Sequence, residues 1–193
     1  MNSFSKTAGR YAKALSGCLE SLDWDAVQSL AKALERARAD RARVFIFGNG
    51  GSAANAVHWA NDLLYAAAKT GGLPLRITAL PANQAVVTCL GNDIGYERIF
   101  EYQLSVFSKR EDVVIALSGS GNSPNILRAL EFAGESGMES FAILGFDGGK
   151  AKALASVPIH IPVNDMQIAE DLQMVLCHII TQHLSLNPGH QTL

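Results

Sequence analysis

The sequence has no run of basic residues, because 16 Lys and Arg are offset by 18 Asp and Glu, with a net charge of -2 and a pI near 6.2. Nucleic acids and anionic membranes are bound through clustered positive charge. We therefore expect neither as a partner. The sequence also lacks any apolar segment near the roughly 18 residues needed to cross a bilayer, so no transmembrane helix is expected.

Cysteine is scarce: Cys18, Cys89 and Cys177 lie far apart and have no CxxC spacing. This number and spacing argue against a disulfide framework and against a zinc clip made of cysteines. Three buried thiols in a reducing compartment are expected instead. The N-terminal residues do not show a charged region followed by a continuous apolar stretch, so we expect no secretion signal and a cytoplasmic protein.

Repeats, low-complexity tracts and Pro/Ser-rich linkers are absent from the 193 residues. We predict a single domain over 1–193, with N-terminal helices at 1–40, an α/β core at 43–184 and a loose tail at 185–193. Hydrophobic residues make up 48% and charged residues 18%, a composition more apolar than that of an ordinary monomer. Part of this apolar surface is expected to be buried between subunits.

Apolar residues recur at helical spacing over 5–39, and Asp23 and Asp25 mark a break between two helices. Short apolar runs rich in β-branched residues then alternate with helical patterns. The predicted strands are 44–47, 75–80, 113–117, 140–144 and 157–161. The predicted helices are 53–68, 84–90, 96–107, one that begins at Pro124, and 167–184, with a turn at 91–93. This alternation predicts a doubly wound, five-stranded parallel sheet flanked by helices.

Two loops rich in Gly and Ser follow predicted strands. The first is Gly48-Asn49-Gly50-Gly51-Ser52, and the second is Ser118-Gly119-Ser120-Gly121-Asn122-Ser123. Glycine lets the backbone approach an anion, hydroxyls add donors, and a following helix presents free N–H groups. Neither loop has the GxGxxG spacing of a dinucleotide site or the GK[ST] ending of a nucleotide loop. The pair suits a phosphorylated polyol, although such clusters also occur in ordinary loops and helix caps.

Acidic and imidazole side chains pair on two predicted helices. His58 and Asp62 are four residues apart, so they share a helix face and can converge on one proton or one metal. On the last helix His178 can pair with Glu170 or with Asp171, and seven-residue spacing makes Asp171 slightly better by helical phase. Each of these residues taken alone is more often an ordinary helix side chain.

Four ordered sequence blocks resemble the sugar isomerase (SIS) domain family, and within it the phosphoheptose isomerase branch. The resemblance covers about Val44 to His178. The blocks are Gly48-Asn49-Gly50-Gly51-Ser52 with His58, then Gly91-Asn92-Asp93-Ile94-Gly95-Tyr96, then the second Gly/Ser loop, then Gly145-Phe146-Asp147-Gly148-Gly149. The resemblance implies an SIS fold with an N-terminal helical extension, and a homotetramer with active sites built from more than one subunit.

The resemblance also implies roles for individual residues. Ser118, Ser120 and Ser123 would hold a phosphate, and the sugar would contact Asn49, Gly50, Ser52, Asp93 and Glu170. Asp62 and His178 would be catalytic. His58, Asp62, Glu170 and His178 would form the cluster that binds zinc in some members of the family.

The chain departs from the family pattern at four positions, two of which are among the residues just named. Asp62 and Glu170 stand where the family has glutamate and glutamine, Ala66 replaces an arginine, and Gly119 replaces a threonine. Two imidazoles and two carboxylates still form a set that suits Zn²⁺.

The resemblance implies an aldose–ketose isomerase that converts D-sedoheptulose 7-phosphate to D-glycero-D-manno-heptose 7-phosphate through an enediol. Two other functions stay open. One is an isomerase acting on another sugar phosphate. The other is a non-catalytic SIS tetramer that binds a sugar phosphate or serves in assembly, which the replacement of glutamate by Asp62 favours.

Overall fold

A computed structural model describes residues 3–69 and 71–187. Five parallel strands form one sheet in the order β2-β1-β3-β4-β5. The strands are β1 (Arg43–Gly48), β2 (Arg76–Ala79), β3 (Val113–Ser118), β4 (Glu139–Leu144) and β5 (Val157–His160). The helices are α1 (Ser3–Glu20), α2 (Trp24–Ala39), α3 (Gly50–Leu64), α4 (Gln84–Asp93), α5 (Ile99–Phe107), α6 (Pro124–Glu135), α7 (Ala151–Leu154) and α8 (Met166–Leu186). The α/β fold with a five-stranded parallel sheet is as predicted.

Helix starts follow local chemistry. The carboxylate of Asp23 accepts hydrogen bonds from the backbone N–H groups of Asp25 and Ala26, and thereby caps α2. Asp165 caps α8 in the same way. Pro124 occupies the first position of α6, where its missing N–H costs no helical hydrogen bond.

Both faces of the sheet are buried, and alternate side chains of β1 enter different cores. Val44 and Ile46 pack into the core beneath α1, α2, α3 and α8. Phe45 and Phe47 pack into the core beneath α4, α5, α6 and α7. Because both faces are covered there, the central strands β1, β3 and β4 are almost continuously buried, as expected of a parallel sheet, whereas residues of the edge strand β2 alternate between exposed and buried.

Several predicted boundaries were wrong. Residues 91–93 continue α4 instead of forming a turn, and the helix after the first loop runs from Gly50 to Leu64 with a short 3₁₀ helix at Ala66–Ala68. α8 reaches Leu186, inside the predicted tail, of which 188–193 lie outside the described residues. Within 3–69 and 71–187, no helix has the length and apolarity needed to cross a bilayer.

Candidate active site

The two Gly/Ser loops lie together at one edge of the sheet. β1 and β3 are neighbours, and Gly48, the first residue of the first loop, pairs with Leu117, which directly precedes the second loop. Asn49 of the first loop and Asn125 of α6 exchange side-chain hydrogen bonds of 2.9 and 2.8 Å. The hydroxyl of Tyr96 donates to Oδ1 of Asn49 at 3.1 Å. These bonds fix the first loop against the helix that follows the second.

The second loop is held in shape by its own polar groups. Oγ of Ser118 accepts a hydrogen bond from the backbone N–H of Gly121 at 3.0 Å. Ser120 is half-buried, and its Oγ accepts from the N–H of Asn122 at 3.3 Å. Ser123 occupies the N-cap position of α6 without a side-chain bond to that helix, so its hydroxyl is not used in capping. The loop therefore presents hydroxyls beside a helix N-terminus, an arrangement suited to an anion.

The loop after β4 packs directly against this second loop. Gly121 has a φ of +64°, and a Cβ at this position would stand 2.0 Å from the backbone oxygen of Gly148. The N–H of Lys150 donates to Oδ1 of Asn122, and the N–H of Ala151 donates to the oxygen of Gly121. An adjoining cavity of about 480 Å³ opens at the ends of β3, β4 and β5. It is lined by Ser120, Asn122, Phe146, Asp147, Pro162 and Asn164.

His58, Asp62 and His178 meet on the outer side of the packed helices α3 and α8. The Nε2 atoms of the two imidazoles are 3.2 Å apart. Oδ2 of Asp62 lies 3.4 Å from Nε2 of His58 and 3.7 Å from Nε2 of His178. The imidazoles are about half exposed, at 47% and 53%, while the Asp62 side chain is 17% exposed. The cluster can exchange protons with solvent or a ligand and carries a carboxylate to balance positive charge.

Glu170 lies apart from this cluster. Its carboxylate sits over Gly51, where an added Cβ would be 2.4 Å from Oε2. Glu170 precedes His178 by eight residues, about 12 Å along a helix, so one copy of α8 does not bring both to one point. Within the described part of the chain, Glu170 is not part of the metal-competent group, in contrast to the predicted four-residue set.

Asp171, which helical phase favoured as the partner of His178, is bound elsewhere: Tyr11 of α1 donates a hydrogen bond to its Oδ2 at 2.6 Å. Asp93 lies exposed at the end of α4, where Asn92 donates to its Oδ1 at 2.7 Å. Cys89 contacts the same carboxylate at 3.4 Å, and this hydrogen bond raises the pKa of the Cys89 thiol. Gly50 is exposed in the first loop with a φ of +55°.

Sequence reasoning missed two polar side chains that support the loops. Asn125 is 1% exposed and bonds to Asn49, and Gln173 is 1% exposed and donates to Ser52. Asn125 follows Pro124 immediately, and Gln173 lies one helical turn after Glu170. The sequence signal that could have identified them was an amide side chain on an otherwise apolar helix face, since a buried amide needs a hydrogen-bond partner.

The chemistry of the three-residue cluster fits a metal ion. The ligand atoms of His58, Asp62 and His178 all lie within 4.8 Å of one another. Two imidazole nitrogens and a carboxylate oxygen are ligands that Zn²⁺ accepts, and catalytic zinc commonly has three protein ligands and one open position.

A profile of the SIS domain matches residues 10–145. The chain is 40% identical over 139 residues to a phosphoheptose isomerase of Trichlorobacter lovleyi, covering 72% of this chain and 70% of the relative. It is 33% identical over 183 residues to a phosphoheptose isomerase of Helicobacter pylori, covering 94% and 93%. The solved structure of the Neisseria gonorrhoeae phosphoheptose isomerase superposes with a TM-score of 0.85 at 25% identity, covering 95% and 97%.

The parallel sheet, the paired Gly/Ser loops at its edge, the imidazole–carboxylate cluster and the relatives' names together identify an α/β isomerase. The chain belongs to the SIS domain family and, within it, to the phosphoheptose isomerase branch. The resemblance found in the four sequence blocks is thereby confirmed, as is the prediction that the chain is an isomerase.

Proposed function

We propose that this protein converts D-sedoheptulose 7-phosphate to D-glycero-D-manno-heptose 7-phosphate through an enediol. The observation that carries the proposal is the meeting of His58, Asp62 and His178 in a chain whose loops suit a phosphate. Relatives at 40% and 33% identity are named phosphoheptose isomerases, which supports this choice of sugar phosphate over others.

The reaction needs an acid and a base near the first two sugar carbons. A base removes a proton from C1 of the ketose, and the resulting enediol takes a proton back at C2 while the two oxygens exchange a proton. We assign these transfers to Asp62 and His178, whose side chains lie 3.7 Å apart. His58 lies 3.2 Å from His178 and would position it or share its proton.

The phosphate and the reacting carbons lie at opposite ends of a seven-carbon substrate. We propose that Ser118, Ser120 and Ser123 bind the phosphate, and that the sugar hydroxyls contact Asn49, Gly50, Ser52, Asp93 and Glu170. The acid–base cluster lies about 12 Å along α3 from the first loop, since eight residues separate His58 from Gly50. This separation supports a substrate that spans both regions, and binding at the phosphate end would orient it for proton transfer.

We further propose a homotetramer with active sites at subunit interfaces. One copy leaves both imidazoles about half exposed, and it places Glu170 away from them. A neighbouring copy could cover the cluster and supply Glu170 as a ligand or sugar contact. Large apolar side chains exposed on the same two helices, Val57, Leu64 and Ile179, support such a contact.

Zn²⁺ is the proposed cofactor, and His58, Asp62 and His178 would hold it, with Glu170 of a neighbouring copy as a further ligand. When bound, it would supply a Lewis acid that polarises the sugar carbonyl.

The cytoplasm is the proposed location, and the free thiols of Cys18, Cys89 and Cys177 are typical of a reducing compartment. A single domain over 1–193 also stays a prediction.

The proposal is tested by incubating the purified protein with sedoheptulose 7-phosphate and following aldose formation. We expect turnover by the wild type and a loss of about 100-fold or more in His178→Ala and Asp62→Ala, because each removes a proton-transfer group. Absence of wild-type turnover, with and without Zn²⁺, would contradict the isomerase proposal. If sugar phosphate still bound, that result would favour the non-catalytic binding function.

A further inference from the structure

Hydrogen bonds join α3 to α8 beside the candidate site in one continuous chain. Nδ2 of Asn55 donates to the backbone oxygen of Glu170 at 3.0 Å and to Oε1 of Gln173 at 2.9 Å. Nε2 of Gln173 donates to Oγ of Ser52 at 3.1 Å. The indole Nε1 of Trp59 donates to the backbone oxygen of Gln173 at 3.0 Å. Gln173 therefore accepts two hydrogen bonds from α3, one at its side-chain oxygen and one at its backbone oxygen, and donates one to α3.

The backbone oxygen of Glu170 fixes the direction of every bond between these side chains. A carbonyl oxygen can only accept, so Asn55 must turn its NH₂ group towards α8. The same NH₂ group faces Gln173, whose oxygen must accept, and this leaves the Gln173 NH₂ group to face Ser52. The Ser52 oxygen then accepts, and the hydroxyl hydrogen of Ser52 is not used in this bond.

Burial makes this arrangement rigid. Gln173 is 1% exposed and Ser52 is 3% exposed. A buried amide that loses a partner is left with an unpaired polar group, which costs about 1–3 kcal/mol. Ser52, Asn55 and Trp59 follow one another at three and four residues, so they share one face of α3. That face holds α8 in a single register.

We propose that Gln173 is a positioning residue of the isomerase site. It holds α8 in register on α3, so that His178 reaches His58 and Asp62, and it leaves the Ser52 hydroxyl as a hydrogen-bond donor to the sugar phosphate. The inference rests on the proposed function, which assigns Ser52 to the sugar.

The variant Gln173→Glu tests the direction of the bonds, because it keeps the size of the side chain. A carboxylate at this position accepts from both Asn55 and Ser52, so the Ser52 hydroxyl hydrogen turns inward and is lost to the ligand. A protonated carboxyl donates to Ser52, as the amide does. Burial of this position disfavours the charged form, and the acidic Glu170 lies one helical turn before it on α8, so the pKa of a carboxyl introduced here is raised above its ordinary value.

We expect the KM of Gln173→Glu for sedoheptulose 7-phosphate, divided by that of the wild type, to be about 10 at pH 8 and to fall to about 3 or less at pH 6. Dividing by the wild-type value at each pH removes the pH dependence that the variant and the wild type share. Gln173→Met, which can neither donate nor accept in this way, should show a raised ratio that does not change with pH. Circular dichroism melts of each variant would establish that it is folded.

Gln103→Glu is the matched control. Gln103 is also buried, at 5% exposure, but its Nε2 donates to the backbone oxygen of Ile99 within α5, on the other face of the sheet. It should leave the KM within about twofold of the wild type at both pH values. The same pH-dependent ratio in Gln103→Glu, or wild-type kinetics in Gln173→Met, would overturn the proposal.

Failure of the proposed function gives a different result. If the wild type binds sedoheptulose 7-phosphate in calorimetry but does not turn it over, the isomerase proposal fails, and the dissociation constants of the same variants replace KM. A pH-dependent ratio would then still support a positioning role for Gln173 in ligand binding. If the wild type does not bind the sugar phosphate, both proposals are overturned.

Discussion

The phenol of Tyr11 donates a 2.6 Å hydrogen bond to the carboxylate of Asp171 and so ties the N-terminal helix α1 to the C-terminal helix α8. This bond, with a contribution from the negative charge of Asp171, raises the pKa of Tyr11 to about 12. No residue of α1 is fully buried, and its apolar side chains pack on the core only in part. The bond is therefore a specific polar tether for a helix that packs on the core through partly buried side chains.

Tyr11→Phe should lower the free energy of unfolding by about 0.5–1.5 kcal/mol near neutral pH, because it removes one hydrogen bond. The folded-state pKa of Tyr11 is raised above its usual value near 10, so the bond stabilises the fold below pH 10 and is lost as pH rises towards 12. The difference between variant and wild type in urea unfolding should be constant from pH 6 to 9 and shrink above pH 10. Tyr102→Phe on α5, at the other face of the sheet, is the control.

The pairing of Tyr11 with Asp171 shows what helical phase could not predict. Helical phase placed Asp171 nearer than Glu170 to the helix face of His178. It carries no information about Tyr11 of α1, which lies 160 residues away in the sequence and donates a hydrogen bond to the Asp171 carboxylate. The central strands β1, β3 and β4 were predictable because they are short apolar runs buried on both faces of the sheet. The turn predicted at 91–93 was wrong, since Gly, Asn and Asp favour turns locally but here form the last three residues of α4.

The candidate site could be predicted only in part, because spacing within one helix does not report contacts between helices that are distant in the sequence. His58 and Asp62 lie on one helix, so their four-residue spacing predicted their contact. The approach of His178 to within 3.2 Å of His58 depends on how α8 packs against α3, and the resemblance to the SIS family supplied that expectation. Residue types alone did not indicate that Glu170 would lie over Gly51, two helical turns from the imidazoles.

Asp62→Asn should lower kcat by about 100-fold or more, with a change of less than about threefold in KM. The amide has the same size as the carboxylate, but it cannot take up a proton or offset positive charge on the imidazoles. Glu111→Gln is the matched control, because it makes the same carboxylate-to-amide change at an exposed residue just before β3, at the end of the sheet away from the Gly/Ser loops, and it should leave kcat within about twofold. A normal kcat in Asp62→Asn would remove this carboxylate from the proposed proton transfer.

Zn²⁺ should bind to the three-residue cluster, and Co²⁺ offers a spectroscopic substitute. We expect the visible absorption of bound Co²⁺ to saturate at one metal ion per chain. The affinity for Co²⁺ should fall by at least about tenfold in His58→Ala and in His178→Ala. His183→Ala is the matched control, because His183 lies further along α8 and pairs with Glu35 of α2 at 2.9 Å. Undiminished affinity in both cluster variants would place any bound metal elsewhere.

Gly121→Ala tests how tightly the second Gly/Ser loop is held. Gly121 has a φ of +64°, which a residue with a Cβ rarely adopts, and that Cβ would stand 2.0 Å from the backbone oxygen of Gly148. Backbone cannot move aside as a flexible side chain can, so we expect a loss of about 2 kcal/mol or more in unfolding free energy and a raised KM. Gly134→Ala is the opposite case, because Gly134 lies in α6 with nothing within 4 Å of an added Cβ. It should stabilise the protein by about 0.5–1 kcal/mol and leave KM unchanged. If both variants unfolded alike in urea, the contact between Gly121 and Gly148 would not constrain the second Gly/Ser loop.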